Sequence, residues 1–332
     1  MYGFSHIYHE DLMQTLIDSV HSAAHQHAYI FEGPEGIGKR ESARLFAAAL
    51  TCLHPQSAPC GTCASCIQSK SDTNPDIIYV NTGDKKSIGT DRIREIASDS
   101  YVRPFSSARK VYLIEEGDCL TEQAQNAFLK VLEEPPEYVV FVILTSNASV
   151  LLETIRSRCV LIRFAALSEK QIRAYLKEQY PEQTDKIDFL AAYSGGIPGE
   201  ADRIAQSDAF YSLRASALSE LDFLLSARTL SAYHVAEFFE ANKDDSSTIL
   251  SLWQSFFRDM LLLSCSSARA VINTDYADVL KKKLLAVSER SCIAILDVLL
   301  TAAQMHRRYV NNRALSLYVA LNVKEILKKD SR

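Results

Sequence analysis

Three clusters of residues have types and spacings that do chemistry. The first is Gly33-Pro34-Glu35-Gly36-Ile37-Gly38-Lys39-Arg40. An apolar run, Tyr29-Ile30-Phe31, precedes it, and Ala43, Phe46, Ala47 and Leu50 follow at helical spacing. Strand, glycine-rich turn and helix is the context of a phosphate-binding loop. Gly33, Gly36 and Gly38 let the backbone turn its amide N–H groups toward a phosphate. The helix start adds partial positive charge and Lys39 a full one. The pattern G-x-x-x-x-G-K-[ST] fails at its last position, where Arg40 replaces the hydroxyl that would hold Mg²⁺. The expectation is a nucleotide-binding fold that has stopped turning nucleotide over. The alternative is a glycine-rich turn that binds none.

The second cluster is Cys52, Cys60, Cys63 and Cys66. Four thiolates at this spacing in a reducing compartment suit a tetrahedral Zn²⁺. Pro55, Pro59 and Gly61 leave the segment few apolar groups, so metal binding is expected to hold it together. With all four positions taken, such a zinc is structural rather than catalytic. The alternative is four free thiols in a loose insertion.

The third cluster is Glu115-Glu116, at the end of the apolar run Lys110–Ile114. A buried parallel strand that delivers acids at its carboxyl end is the Walker B arrangement. Glu115 stands where an Asp usually supports the metal, and Glu116 where the base stands. Two solvated carboxylates are the plainer reading. Asn147 ends the next strand, where it could face a γ-phosphate.

These groups need strands to carry them. Val139–Leu144 reads as a strand buried on both faces, with further strands at Asp76–Val80 and Val160–Ile162. Helices are expected over residues 4–26, from Asp91 with Thr90 as N-cap, over Thr121–Leu132 and over Leu151–Arg156. Strands alternating with helices imply a parallel sheet covered on both faces. Ser168 and Gln171 form a capping box that opens a further helical segment. All eleven glycines and nine prolines lie at or before Gly199, so the rest of the chain should be almost wholly helical. Trp253, Phe256, Phe257, Met260 and Leu261 form a core stripe there rather than a surface for stacking bases.

The 332 residues are enough for two or three domains. A net charge of −5 provides no global field to draw the chain onto DNA unaided. No signal peptide and no membrane-spanning run is seen, so a cytoplasmic protein with few or no disulfides is expected.

With these residues in place, the chain resembles bacterial clamp-loader subunits of the AAA+ class. The matching blocks are His27–Phe31, the four-cysteine insertion, Asp91–Ile96, Gln125–Pro136, Ser157-Arg158-Cys159 and Asn311-Asn312-Arg313. The resemblance implies an α/β fold followed by an all-α part. An AAA+ module with a RecA-like parallel sheet covers residues 1–166, carrying the zinc insertion at 52–66. A helical lid follows at 167–207 and a helical collar at 208–332. It implies a ring with gamma/tau and delta subunits that places the sliding clamp on primed DNA. Arg158 would be an arginine finger reaching into the neighbour's ATP site. Near the lid, the nucleotide-sensing Arg of motor subunits is matched by Gly199. With Arg40, Glu115 and Gly199 all departing from the motor pattern, ATP or ADP would be held weakly or not at all, and Mg²⁺ is not expected. Such a subunit is not catalytic alone. Two other readings are an ATP-hydrolysing motor subunit of the same loader and a zinc-dependent nucleic-acid-binding module.

Overall fold

The computed structural model describes residues 9–225, 231–264, 271–308 and 310–330. Two compact units are present: one holds the described residues up to Tyr175 together with Gly196–Glu200, and the other holds the rest.

In chain order the first unit contains α1 (Glu10–His21), β1 (Ala28–Glu32), α2 (Lys39–Leu50), α3 (Ala64–Lys70), β2 (Ile77–Val80), α4 (Thr90–Ser100), β3 (Lys110–Ile114), α5 (Glu122–Glu133), β4 (Val139–Thr145), α6 (Glu153–Arg156) and β5 (Val160–Arg163). The strands form one sheet, order β2-β3-β4-β1-β5, with every pair parallel. The chain therefore has the expected α/β part, built on a parallel sheet, followed by helices.

Side-chain alternation along the strands builds two apolar layers. Tyr29, Phe31, Val111, Leu113, Val140 and Val142 face α1 and α2, with Met13, Leu16, Phe46 and Leu50. Ala28, Ile30, Tyr112, Ile114, Phe141 and Ile143 face α4 and α5, with Ile93, Ile96, Phe128 and Val131. Strands buried on both faces read as continuous apolar runs, which is how β4 is recognisable in the sequence.

Some boundaries differ from expectation. The first helix ends at His21 rather than Gln26, because Ala23 takes a left-handed backbone at φ 53°. Residues 4–8 of the expected helix lie outside the described residues. Thr90 is the first helical residue, not the N-cap; Gly89 holds that place without a side-chain bond. Thr121 is a true N-cap, its hydroxyl accepting from the Ala124 N–H at 3.2 Å. Asp76 lies just before β2, where its carboxylate accepts backbone N–H bonds from Phe105, Ser106 (2.9 Å) and Ser107 (2.8 Å). The capping box forms: Ser168 Oγ and Gln171 exchange bonds at the start of α7 (Glu169–Gln179).

The remaining helices are α8 (Ile187–Tyr193), α9 (Pro198–Ala205), α10 (Asp208–Leu225), α11 (Ser231–Ala241), α12 (Ser246–Ser264), α13 (Ala277–Lys283), α14 (Glu289–Arg307) and α15 (Asn312–Asp330). The second unit is helical, and Trp253, Phe256, Phe257 and Met260 are fully buried in it. Trp253 donates its indole N–H to the Ala217 carbonyl at 2.8 Å, which fixes α12 against α10. Arg214 of α10 is also buried. Its guanidinium lies between the rings of Phe189 and Tyr276 and donates two bonds to Asp275. A buried guanidinium needs such a partner, because its charge cannot be left without water or counter-charge.

Candidate functional site

The glycine-rich loop emerges at the carboxyl end of β1, and Glu115 follows β3. Ligands of open parallel sheets bind at this rim. Gly33 donates its N–H to the Thr145 carbonyl at 3.2 Å, tying the loop to the end of β4. Gly36 and Gly38 both sit in the left-handed region, at φ 76° and 97°. The loop therefore has the turn that a phosphate cradle requires.

Both basic residues of the loop are engaged within the chain, as are the acids after β3. The Lys39 ammonium donates to two carbonyls of its own loop, Gly33 and Pro34 (2.9 Å). Burial lowers its pKa, against the pull of Asp118 and Glu35. Arg40 forms a two-pronged ion pair with Glu115: Nε to Oε1 at 2.6 Å and Nη2 to Oε2 at 3.2 Å. Glu116 accepts the Thr82 N–H at 2.8 Å, and hydrogen bonds from Thr82 hold its carboxyl below the usual range. Asn147 uses its side-chain oxygen to accept the Ser149 N–H at 2.9 Å.

Gly36 of the loop also has a backbone partner. Gly199 donates its N–H to the Gly36 carbonyl at 2.9 Å. A Cβ on Gly199 would lie 2.8 Å from the Gly36 Cα and 3.0 Å from its carbonyl oxygen. No side chain fits there without moving one backbone off the other. Gly199→Ala is expected to destabilise the first unit by about 1–3 kcal/mol, the usual cost of overpacking, read as a lower midpoint in denaturant unfolding.

Sequence reasoning missed Asp118. It accepts from Thr145 Oγ1 at 2.6 Å and from the Ser146 N–H at 2.8 Å. Burial works to raise its pKa, but bonds from Thr145, Ser146 and Asn147 bring it below the ordinary range. The signal was present as a third acid in Glu115-Glu116-Gly117-Asp118.

The four cysteines converge, their Sγ atoms all lying within 4.8 Å of one another. Cys52 and Cys63 are 4.0 Å apart, Cys60 and Cys66 3.9 Å. A tetrahedral ion with metal–sulfur bonds of ~2.3 Å needs sulfur–sulfur edges of about 3.8 Å, so the cage has the size to hold a metal. Backbone N–H groups of His54, Cys63 and Cys66 point at Cys52, Cys60 and Cys63, each at 3.4 Å. Donors placed this way favour thiolates. Hydrogen bonds, first the Thr62 N–H and then the Cys63 N–H, hold the Cys60 thiol down to about 5, while burial pushes Cys52 up. Below the cage, buried Asn74 donates to Ser65 Oγ (2.9 Å) and Ser69 Oγ (3.0 Å), fastening the segment to α3.

Arg158 lies elsewhere. It precedes β5, at the amino ends of the strands, whereas the glycine-rich loop leaves the carboxyl end of β1. A four-residue strand spans about 13 Å, so Arg158 sits on the opposite rim from its own loop. Its Nη2 donates to Glu133 at 2.8 Å and its Nη1 to the Thr154 carbonyl at 2.9 Å.

The family model described as DNA polymerase III, delta subunit, matches residues 8–168. The chain is 28% identical to DNA polymerase III subunit delta' of Bacillus subtilis, covering 95% of each chain. These similarities support a clamp-loader-type subunit of bacterial DNA polymerase III. The chain is also 29% identical to subunit tau of Bacillus subtilis over 76% of its own length, and spans about half (48%) of that relative. Among solved structures, a gamma subunit-related protein of Thermotoga maritima aligns over 97% of this chain and 100% of its own, at 20% identity and a TM-score of 0.43. Among the described residues, no helix is long and apolar enough to cross a membrane.

Proposed function

We propose that this clamp-loader subunit is the delta-prime-type stator. It hydrolyses no ATP at its own loop and lends Arg158 to the ATP site of an adjoining gamma/tau subunit. With that subunit and delta it loads the sliding clamp on primed DNA. The observation that carries this reading is the Arg40–Glu115 ion pair. A guanidinium fills the place of the metal on the acidic strand end, and it cannot coordinate phosphate oxygens and water as Mg²⁺ does.

Three features support it. Lys39 is held by the loop's own carbonyls, Glu116 by Thr82, and Gly36 by Gly199. A phosphate in the loop would have to draw the Lys39 ammonium from these carbonyls. The placement of Arg158 on the opposite rim leaves it useless to this chain's own site and available to another chain. The similarity to a delta' subunit over nearly the full length favours the same assignment.

In this reading the four-cysteine cage holds a structural Zn²⁺, residues 167–207 act as a lid and 208–332 as a collar, and the subunit works in the cytoplasm. The test is titration of the purified chain with Mg-ATP, alongside the Lys39→Ala variant in a reconstituted loader. No saturable binding is expected below millimolar nucleotide, and Lys39→Ala should change loader turnover less than two-fold, since about 0.4 kcal/mol or less is at stake. Tight binding, or turnover abolished by Lys39→Ala, rejects the stator reading in favour of a motor.

A further inference from the structure

Arg158 is not free in the chain by itself. Its guanidinium is shared between the Glu133 carboxylate and the Thr154 carbonyl. We propose that Glu133 is a positioning residue that parks Arg158 until a neighbouring triphosphate displaces it. The proposal rests on the reading of Arg158 as an arginine finger.

Glu133 is the last residue of α5, and its carboxylate reaches Arg158 because α5 is fastened to the turn before α6. The fastening is Gln125, a buried side chain. Its Nε2 donates to the carbonyls of Leu120 and Val150, and its Oε1 accepts the Leu152 N–H at 2.7 Å. Ile155, wholly buried, fixes the base of α6 in the sheet's apolar layer. The backbone on both sides is thus set, and the Arg158 N–H is itself bonded to the Ile155 carbonyl at 3.0 Å. Only the two long side chains are left to move.

The pair is 35% exposed on Arg158 and 51% on Glu133. Exposed ion pairs are weak enough to exchange readily. A triphosphate carries more charge and more acceptor oxygens than one carboxylate, so it wins the guanidinium when a neighbour's site is loaded. Without it, Glu133 neutralises the charge that would otherwise stabilise a stray transition state. The parked geometry keeps a guanidinium out of the neighbour's site while the ring is idle.

The test is a double-mutant cycle in the reconstituted loader, with ATP turnover measured without and with clamp and primed DNA. Glu133→Gln, which keeps shape and removes charge, should raise the idle rate about 1.5- to 5-fold. The stimulated rate should change less, so the stimulation ratio falls. In the Arg158→Ala background, Glu133→Gln should have no effect. If Glu133→Gln shifts both backgrounds equally, its role is structural and the proposal is overturned. If Arg158→Ala depresses turnover but Glu133→Gln leaves the ratio untouched, the parking role fails and the finger stands. If Arg158→Ala itself changes nothing, both readings fall together.

Discussion

Arg158→Ala is expected to lower hydrolysis at the adjoining subunit's site by about 10³–10⁵-fold, the loss seen when related phosphoryl transfer is deprived of its arginine finger. The size follows from electrostatics. Charge spreads over the equatorial phosphoryl oxygens, and a planar guanidinium meets two of them at once in a water-poor crevice. Folding should hardly notice the change. The side chain is partly exposed and gives up a pair with Glu133 and a bond to Thr154, together worth ~1 kcal/mol or less at such exposure. Loader assembly should therefore be intact while one site falls silent. Bulk turnover dilutes the effect with the other sites, so single-turnover hydrolysis on a clamp- and DNA-engaged loader is the measurement. Arg158→Lys should recover only a small part, because an ammonium lacks the fork. Equal rates for Arg158→Ala and the native chain would remove the role.

Much of this was legible because local signals and global packing agree. β4 is apolar at nearly every position since both its faces are covered. Thr121 and Ser168 announce helix starts that the structure uses. Four cysteines at short spacing meet because short loops leave them nowhere else to go. What could not be read is pairing across the chain. Arg40 and Glu115 stand 75 positions apart. Each looks like a separate loss from a motor pattern, yet they are one ion pair. The pairing appears only once the sheet order places β3 and β1 on either side of β4, with their carboxyl ends on one rim. Gly199 likewise reads as a missing arginine, whereas its lack of a side chain is what lets it lie on Gly36. Asp76 looks like the first residue of a strand; its three backbone donors come from a loop some 30 positions away. Thr90 is misplaced by one residue because a glycine can occupy the N-cap position as well as a hydroxyl residue can.

Removing the metal is expected to produce the second large effect, and a local one. The purified chain should carry one Zn²⁺ per molecule, with Cys52, Cys60, Cys63 and Cys66 unreactive toward thiol reagents until it is chelated. Structural zinc contributes about 10–16 kcal/mol in peptides that fold only with it. Here that energy is spread over less structure, since Cys52, Cys63 and Cys66 already pack on the sheet's apolar layer and Asn74 fastens α3 from below. The thiolates and their N–H donors are held at metal-cage distances, and four sulfurs 3.9–4.8 Å apart repel once ionised. Without a cation they must take up protons or separate. Chelation, or Cys63→Ala, should therefore open residues 53–62 and speed proteolytic cleavage there by at least ~10²-fold, the signature of a local rather than global opening. The parallel sheet should keep its cooperative unfolding, because neither β1 nor β4 contributes a ligand. A chain that contains no zinc after metal-replete expression, or whose 53–62 segment is cleaved equally fast with and without chelator, would leave the cage without its proposed ion. A loss of sheet cooperativity on chelation would instead show that α2 and α3 depend on the metal far more than their apolar packing indicates.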